Sequence, residues 1–312
     1  GQRTAINAGG MKKEELERGS VLACSGSMET TMMLDVSLKL FDDIDRAVLN
    51  NSRVHFYCGS SQALGKVVLL DRDVAEKGER VYAQIRTEEP VAFRMNDRFI
   101  IRFYSPVITI GGGRILEVSP VKHKRNDPKV LEALRIKDEG TPEEVAELII
   151  REKSSSLITA KYLALKMRLG FESGDALVKN LIEEGRVRLI KNEYLMHRDY
   201  VEVICRAAAS ILSEYHSKNQ LSPGMGREEL KSRLEQELRI NDRKIIDDLI
   251  LIMEEEKVLR ISGQTVCSYD FKISYSPEMQ KLRDRIFKAY KDGKYEMPTV
   301  EEILQSEKDE AN

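Results

Sequence analysis

Over the first 120 residues, apolar and polar side chains alternate with a period of two. "RVHFYCG" (53–59), "GKVVLLD" (65–71), "ERVYAQIRT" (79–87), "DRFIIRFYS" (97–105) and "TIGGGRILEV" (109–118) are short, rich in β-branched residues and bounded by turn formers. That pattern predicts strands, and "TTMMLDVSLKLF" (30–41) adds a sixth. Six antiparallel strands in roughly a hundred residues predict a small closed barrel, placed at residues 25–120. The charged stretch "MKKEELERGSVLA" (11–23) predicts a turn or short helix leading into a strand, so residues 1–24 read as the tail of a preceding β-barrel domain.

The period changes after "SPVKHKRNDPKVLEAL" (119–134). Prolines and a basic cluster predict a linker with a short helix at residues 121–140, and a semi-flexible joint at residues 119–128. Asp127 is expected to cap that helix, with Pro128 at its first position. "GTPEEVAELIIRE" then opens with the capping-box pair Thr141 and Glu144, and its apolar residues favour one face.

An internal repeat organises the rest. "LVKNLIEEGRVRLIKNEYLM" (177–196) and "DLILIMEEEKVLRISGQTVC" (248–267) align without a gap. Each reads as an amphipathic helix, a charged turn and two strands, with two further helices upstream. Three helices followed by a two-stranded ribbon is the winged-helix order, in which the third helix reads nucleic acid when the module binds it. The copies occupy 141–198 and 199–271, and a third begins in 272–312. Lys179, Glu183, Glu184, Asp247 and Glu254 to Glu256 are expected on the exposed sides of the third helices. That acidity repels phosphate and favours spacer or protein-contact modules over base readers.

Gly111 to Gly113 pose a separate question. A phosphate-binding loop needs a helix directly after its glycines, and a Walker-type loop ends in Lys-Ser or Lys-Thr. Here Arg114, Ile115 and Leu116 continue a strand, so the glycines predict a bulge or a close backbone approach.

Composition narrows the classes further. The 312 residues are 41% hydrophobic and 33% charged, with a net charge of -2, so no global basic field exists for gripping nucleic acid. Any RNA contact must come from local patches. Four cysteines are scattered without a C-x-x-C pair, and the four histidines lack metal-ligand spacing. Zinc, a disulfide framework and metallohydrolase chemistry are therefore disfavoured, no catalytic residue or metal ligand is assigned, and a reducing cytoplasm suits the cysteines. No apolar run suggests a membrane span, and a monomer is expected. The chain opens at Gly1 without an initiator Met and is expected to be a piece of a longer protein.

"GQRTAINAGGMKKEELERGSVLA" resembles the end of the second domain of elongation factor Tu-like translational GTPases. "RVHFYCGSSQALGKVVLLD", "YAQIRTEEPVAFRMNDRFIIR" and "YSPVITIGGGRIL" resemble the third domain of the selenocysteine-specific elongation factors, the SelB family. The resemblance implies a fold of an elongation factor Tu domain 3-like barrel followed by tandem winged-helix modules. It further implies a factor that carries selenocysteyl-tRNA to the ribosome at a recoded UGA codon. GTP and Mg belong to the full-length family. This chain has neither a G-x-x-x-x-G-K-[ST] loop nor an Asn-Lys-x-Asp motif, so no cofactor is assigned to it and no catalysis is expected of it. The selenoprotein mRNA hairpin would be gripped by a C-terminal winged-helix module absent here.

By the same resemblance the barrel faces the acceptor and T arms of the tRNA. The candidate contacts are Arg53, His55, Arg86, Arg102, Thr109, Gly112 and Arg114. Cations and free backbone N–H groups suit the sugar-phosphate edges of an A-form stem. Tu-like factors usually carry an arginine before the glycine of the "GMK" segment. Gly9 stands there, so that contact is not carried over. A competing reading is a transcriptional regulator whose tandem winged helices bind DNA. The acidic third helices weigh against it.

Overall fold

A computed structural model describes residues 4–7, 9–10, 12, 16, 18–23, 28, 30–238, 243–273, 275 and 277–292. The chain divides into two compact units, Gly1–Tyr200 and Val201–Asn312.

In the first unit six antiparallel strands close a barrel. Their order around it is β1 (Thr30–Leu40), β6 (Arg80–Ala92), β4 (Ser61–Leu69), β3 (Ser52–Cys58), β7 (Arg98–Phe103) and β8 (Thr109–Val118). β2 (Val48–Leu49) and β5 (Val74–Ala75) pair separately. The six predicted strands are the six of the barrel. Alternation decides which way each side chain faces: Val54, Phe56 and Cys58 point inward from β3, and Arg53, His55 and Tyr57 point outward. Leu34, Val36, Leu38, Val67, Ile85 and Ile101 complete an interior in which Phe56 stacks on Phe99 at 4.9 Å between centroids. Burying each such side chain contributes about 1.5–3 kcal/mol.

The triple glycine proves to be a close-approach device rather than a bulge. Gly111 to Gly113 pair regularly with β1 and β7, and the register shifts fall on either side of them. None has a positive φ. A Cβ on Gly111 would lie 2.4 Å from the Lys39 carbonyl oxygen, one on Gly112 2.5 Å from that of Phe99, and one on Gly113 1.8 Å from that of Ser37. β8 closes the barrel only because it presents no side chains at these points.

The linker differs from expectation. Semi-flexibility is expected of residues 119–128, yet these residues are tied to the barrel. His123 Nε2 lies 2.6 Å from Asp35, and Arg125 donates to the carbonyls of Leu69 (2.8 Å) and Arg72 (2.6 Å) and to Asp73 (2.6 Å). The cations that read as a solvated hinge are the anchors. α1 (Pro128–Glu139) starts where expected, with Asp127 accepting from the Lys129 N–H at 3.0 Å. Its Leu134, Val130 and Leu131 cover Leu70, Leu116 and Tyr82 on the barrel's outer wall.

α2 (Pro142–Lys153) carries the predicted capping box. β9 (Ile158–Thr159), α3 (Ala160–Met167), α4 (Phe171–Glu183), β10 (Val187–Ile190) and β11 (Tyr194–His197) complete a winged helix. Its core contains Met95, from the turn between β6 and β7, beside Ile149, Leu163 and Leu181. Barrel and first winged helix therefore share buried apolar surface.

The second unit repeats the pattern. α5 (Arg198–Lys218) leads into it, followed by β12 (Met225–Gly226), α6 (Arg227–Leu238), α7 (Arg243–Glu255), β13 (Leu259–Ser262), β14 (Thr265–Ser268) and α8 (Pro277–Asp292). Ile204, Leu212, Leu234, Ile246, Leu249 and Leu259 are buried there. Two residues expected on the exposed side of α7 have structural partners instead. Half-buried Asp247 binds Lys231 (2.7 Å) and Arg227 (3.1 Å), and Glu254 accepts from the Ile261 N–H at 3.0 Å. The expected second helix of the third copy lies outside the described residues, as does most of the segment 11–17.

Candidate nucleic-acid interface

The barrel's outer wall has two halves with opposite fates. On β1, β6 and β8 the outward residues Asp35, Gln84 and Glu117 are buried by the linker and the helices that follow it. On β3, β4 and β7 most outward residues stay open to solvent among the described residues. Arg53, Gln62, Lys66, Arg98 and Ile100 are exposed there, and His55, Tyr57 and Arg102 half-exposed.

Cross-strand register gathers most of the predicted residues on this free half. Lys66 sits opposite Arg86 on one side and Arg53 on the other, so three cations line up across β6, β4 and β3. Neighbouring strands are about 4.8 Å apart, and like charges placed directly opposite destabilise a sheet. His55 pairs with Arg102, and Arg102 with Thr109, giving a second row across β3, β7 and β8. Lys66 was not singled out from sequence. Its outward position in "GKVVLLD", one strand from Arg53, was the signal available.

The cations differ in how they are held. Arg53 donates twice to Glu88, at 2.9 Å each, and lies over the Tyr104 ring at 4.4 Å. Arg86 donates to the neutral oxygen of Gln84 at 3.0 and 2.9 Å, and Gln84 in turn donates to Asp35 at 3.0 Å. Arg102 donates to the Val107 carbonyl at 2.7 Å. Arg86 and Arg102 thus keep their full charge, and Lys66 has no ion-pair partner among the described residues. His55 stacks on Tyr104 at 5.6 Å and on Tyr57 at 6.3 Å, which extends the polar rows with aromatic surface. These rings, like Glu88, were also missed from sequence.

Gly112 and Arg114 stand apart from this group. They lie on β8, where Gly113, Lys39, Arg80, Arg98 and Arg114 line a cleft with Asp138 at its wall. Arg114 donates to the Asp138 carboxylate at 2.8 Å and to its carbonyl, so it fastens α1 to the barrel rather than standing free for a ligand. Gly112 is required by the neighbouring strand, which removes the bulge rationale for it as a contact.

Under the covered half lies a buried charge cluster. Glu117 accepts from Lys137 of α1 at 3.0 Å and from Lys166 of α3 at 2.5 Å, and Lys137 also reaches Glu152 of α2 at 2.8 Å. Burial pushes the Glu117 carboxyl up, but the two ammonium groups outweigh it and leave it below the ordinary value. Burial likewise lowers Lys137, and Glu117 with Glu152 more than restores it. The hydrogen bond to Asp35 raises His123 against its own burial. Asp97 orders its turn by accepting from the Arg94 N–H at 2.8 Å and also holds Arg168, which follows α3, at 2.6 Å.

Reaction chemistry has little support in this set. Burial pushes the Cys58 thiol up to about 12, which leaves it inert as a nucleophile near neutral pH. Among the described residues no group of three or more His, Cys, Asp or Glu side chains could hold a metal, and no helix is long and apolar enough to cross a membrane. The free wall presents groups chemically suited to an anionic, ribose-bearing polymer. Cations, stacked rings and a hydroxyl are the groups such a ligand needs.

Comparison with known proteins bears on the domains. Residues 34–122 match the beta-barrel domain of the selenocysteine-specific elongation factor, and residues 209–266 match the winged helix of elongation factor SelB. Two segments of the chain are thus similar to domains of SelB-type factors. A selenocysteine-specific elongation factor of Desulfomicrobium baculatum is 28% identical over 98% of this chain and 48% of its own length. That of Haemophilus influenzae is 26% identical over 74% of this chain and 36% of its own, and that of Escherichia coli 24% over 90% and 42%. The chain therefore spans about half or less of these SelB relatives. A crystal structure of a bacterial selenocysteine-specific elongation factor EF-Sec covers 95% of this chain with a TM-score of 0.55 at 16% identity. It supports the barrel and winged-helix fold. None of these matches is to a DNA-binding regulator.

Proposed function

We propose that this chain supplies the tRNA-facing barrel and winged-helix modules of a SelB-type factor that delivers selenocysteyl-tRNA to the ribosome at recoded UGA codons. The row Arg86–Lys66–Arg53 carries this reading. Three cations directly opposite one another destabilise a sheet, and an RNA backbone laid along the row offsets that cost. The contact set becomes Arg53, His55, Lys66, Arg86, Arg102 and Thr109, with Gly112 and Arg114 serving the fold. In this reading GTP and Mg are handled outside these 312 residues, as is the grip on the mRNA hairpin, and the factor works in the cytoplasm as a monomer.

The test is equilibrium binding of selenocysteine tRNA at 50 to 200 mM salt. Lys66→Met and Arg86→Met should each weaken binding and lower the slope of log K against log salt by about 0.9. Unchanged affinity and slope in both variants would remove the wall as the RNA site.

A further inference from the structure

The free wall contains one pairing that works against RNA binding. Arg53 is the cation at the end of the row, yet both its Nε and one of its Nη atoms are occupied by the two oxygens of Glu88. Arg86 and Arg102 are held by neutral oxygens, and Lys66 by no carboxylate. Glu88 is thus the carboxylate that cancels a cation within the row. Both partners are exposed, with side-chain accessibilities of 42% and 43%, so the pair is open to exchange with a ligand from solution. A bidentate guanidinium edge is the geometry that also receives a phosphate. The Tyr104 ring under the guanidinium holds Arg53 in place when the carboxylate is replaced.

We propose that Glu88 is a built-in competitor for RNA phosphate at Arg53, which sets the wall's affinity by requiring the RNA to displace it. This rests on the reading of the wall given above. An exposed ion pair shifts an equilibrium by no more than about fivefold, so the competitor is weak enough to be displaced by a well-placed phosphate. Until then it keeps Arg53 from adding to general attraction for polyanions. Wherever Arg53 has taken a phosphate, Glu88 remains nearby as an uncompensated negative charge, and that repulsion persists in the complex.

The experiment is a double-mutant cycle on the full 312-residue chain. Wild type, Glu88→Gln, Arg53→Met and the double variant are titrated with selenocysteine tRNA across a salt series. Glutamine keeps the size and one acceptor but removes the charge. Glu88→Gln should tighten binding about two- to fivefold and steepen the salt slope by up to about 0.9, because Arg53 is then free to release a counterion. In the Arg53→Met background the same change should have a clearly smaller effect, because only the repulsion of Glu88 itself is then relieved. Melting temperature should hardly move, since the pair is exposed. If Glu88→Gln weakens binding, or leaves it unchanged where Arg53→Met weakens it, Glu88 is no competitor and the inference fails while the RNA-facing wall stands. If neither Arg53→Met nor Lys66→Met affects binding, the reading of the wall itself fails.

Discussion

Replacing Glu117 with glutamine tests whether barrel and first winged helix form one body. The carboxylate stands at 10% side-chain accessibility between Lys137 at 5% and Lys166 at 16%, each from a different helix. Glutamine keeps the shape and removes the charge, leaving two buried ammonium groups facing a neutral amide. Breaking a buried pair on one side costs about 3–5 kcal/mol. Lys137 retains Glu152 at 2.8 Å and Lys166 can swing towards solvent, which reduces the expected loss to roughly 2–4 kcal/mol. For a unit of this size each kilocalorie shifts the midpoint by about 2–4 °C, so the first unit should melt roughly 5–15 °C lower. Calorimetry reads this directly, with the second unit as an internal reference. The triple variant Glu117→Leu, Lys137→Met, Lys166→Met should recover most of the loss, because an apolar replacement removes the desolvation penalty along with the attraction. A shift below about 2 °C in the single variant, or a triple variant as unstable as the single, would refute the argument that buried charge joins these elements.

Two further expectations follow from the same unit. His123 is raised by its hydrogen bond to Asp35, with Glu152 supporting and Lys137 opposing the charged form. The stability it contributes is therefore complete below about pH 6.5 and lost as pH rises through the higher folded value, so His123→Gln should flatten the fall in melting temperature between about pH 6 and 9. An equally steep fall in the variant would acquit this pair. Gly113→Ala places a Cβ 1.8 Å from the Ser37 carbonyl oxygen, backbone that cannot turn aside, so the variant should fail to close the barrel, with loss of amide protection in β1 and β8 as the readout. A wild-type melting curve would show that β8 can shift without loss.

Local periodicity made most of the fold legible. Alternation in "RVHFYCG" and "DRFIIRFYS" located β3 and β7, and Asp127, Thr141 and Glu144 announced the helix starts that the structure shows. What stayed hidden depends on partners distant in sequence. Nothing near Lys137 or Lys166 signals Glu117, and a lysine on a helix reads by default as solvated. His123 and Arg125 read as hinge cations because Asp35, Leu69 and Asp73 are far away along the chain. Site residues followed the same rule. Arg53, His55, Arg86, Arg102 and Thr109 fell on one wall, but Lys66 gained meaning only from register, and Glu88 only from its contact with Arg53.

The two halves of the barrel wall explain each other. A closed barrel has outward-facing positions all around, and their sequence pattern is polar throughout. Where the linker and helices cover β1, β6 and β8 those residues are acidic or amide: Asp35 and Glu117 pair with His123, Lys137 and Lys166, and Gln84 donates to the Val121 carbonyl. On β3, β4 and β7 they are cationic and aromatic. Each half is charged opposite to the surface it meets, the first to a basic linker and lysine-bearing helices, the second, in the function proposed above, to an anionic polymer. Gln84 joins the halves, since its amide nitrogen donates to Asp35 while its oxygen receives Arg86. Removing Asp35 would take away one of the two acceptors holding the Gln84 amide nitrogen, the other being the Val121 carbonyl, and so loosen the orientation of Arg86. The linker that reads as a spacer thus supports one end of the cation row on the opposite side of the strand.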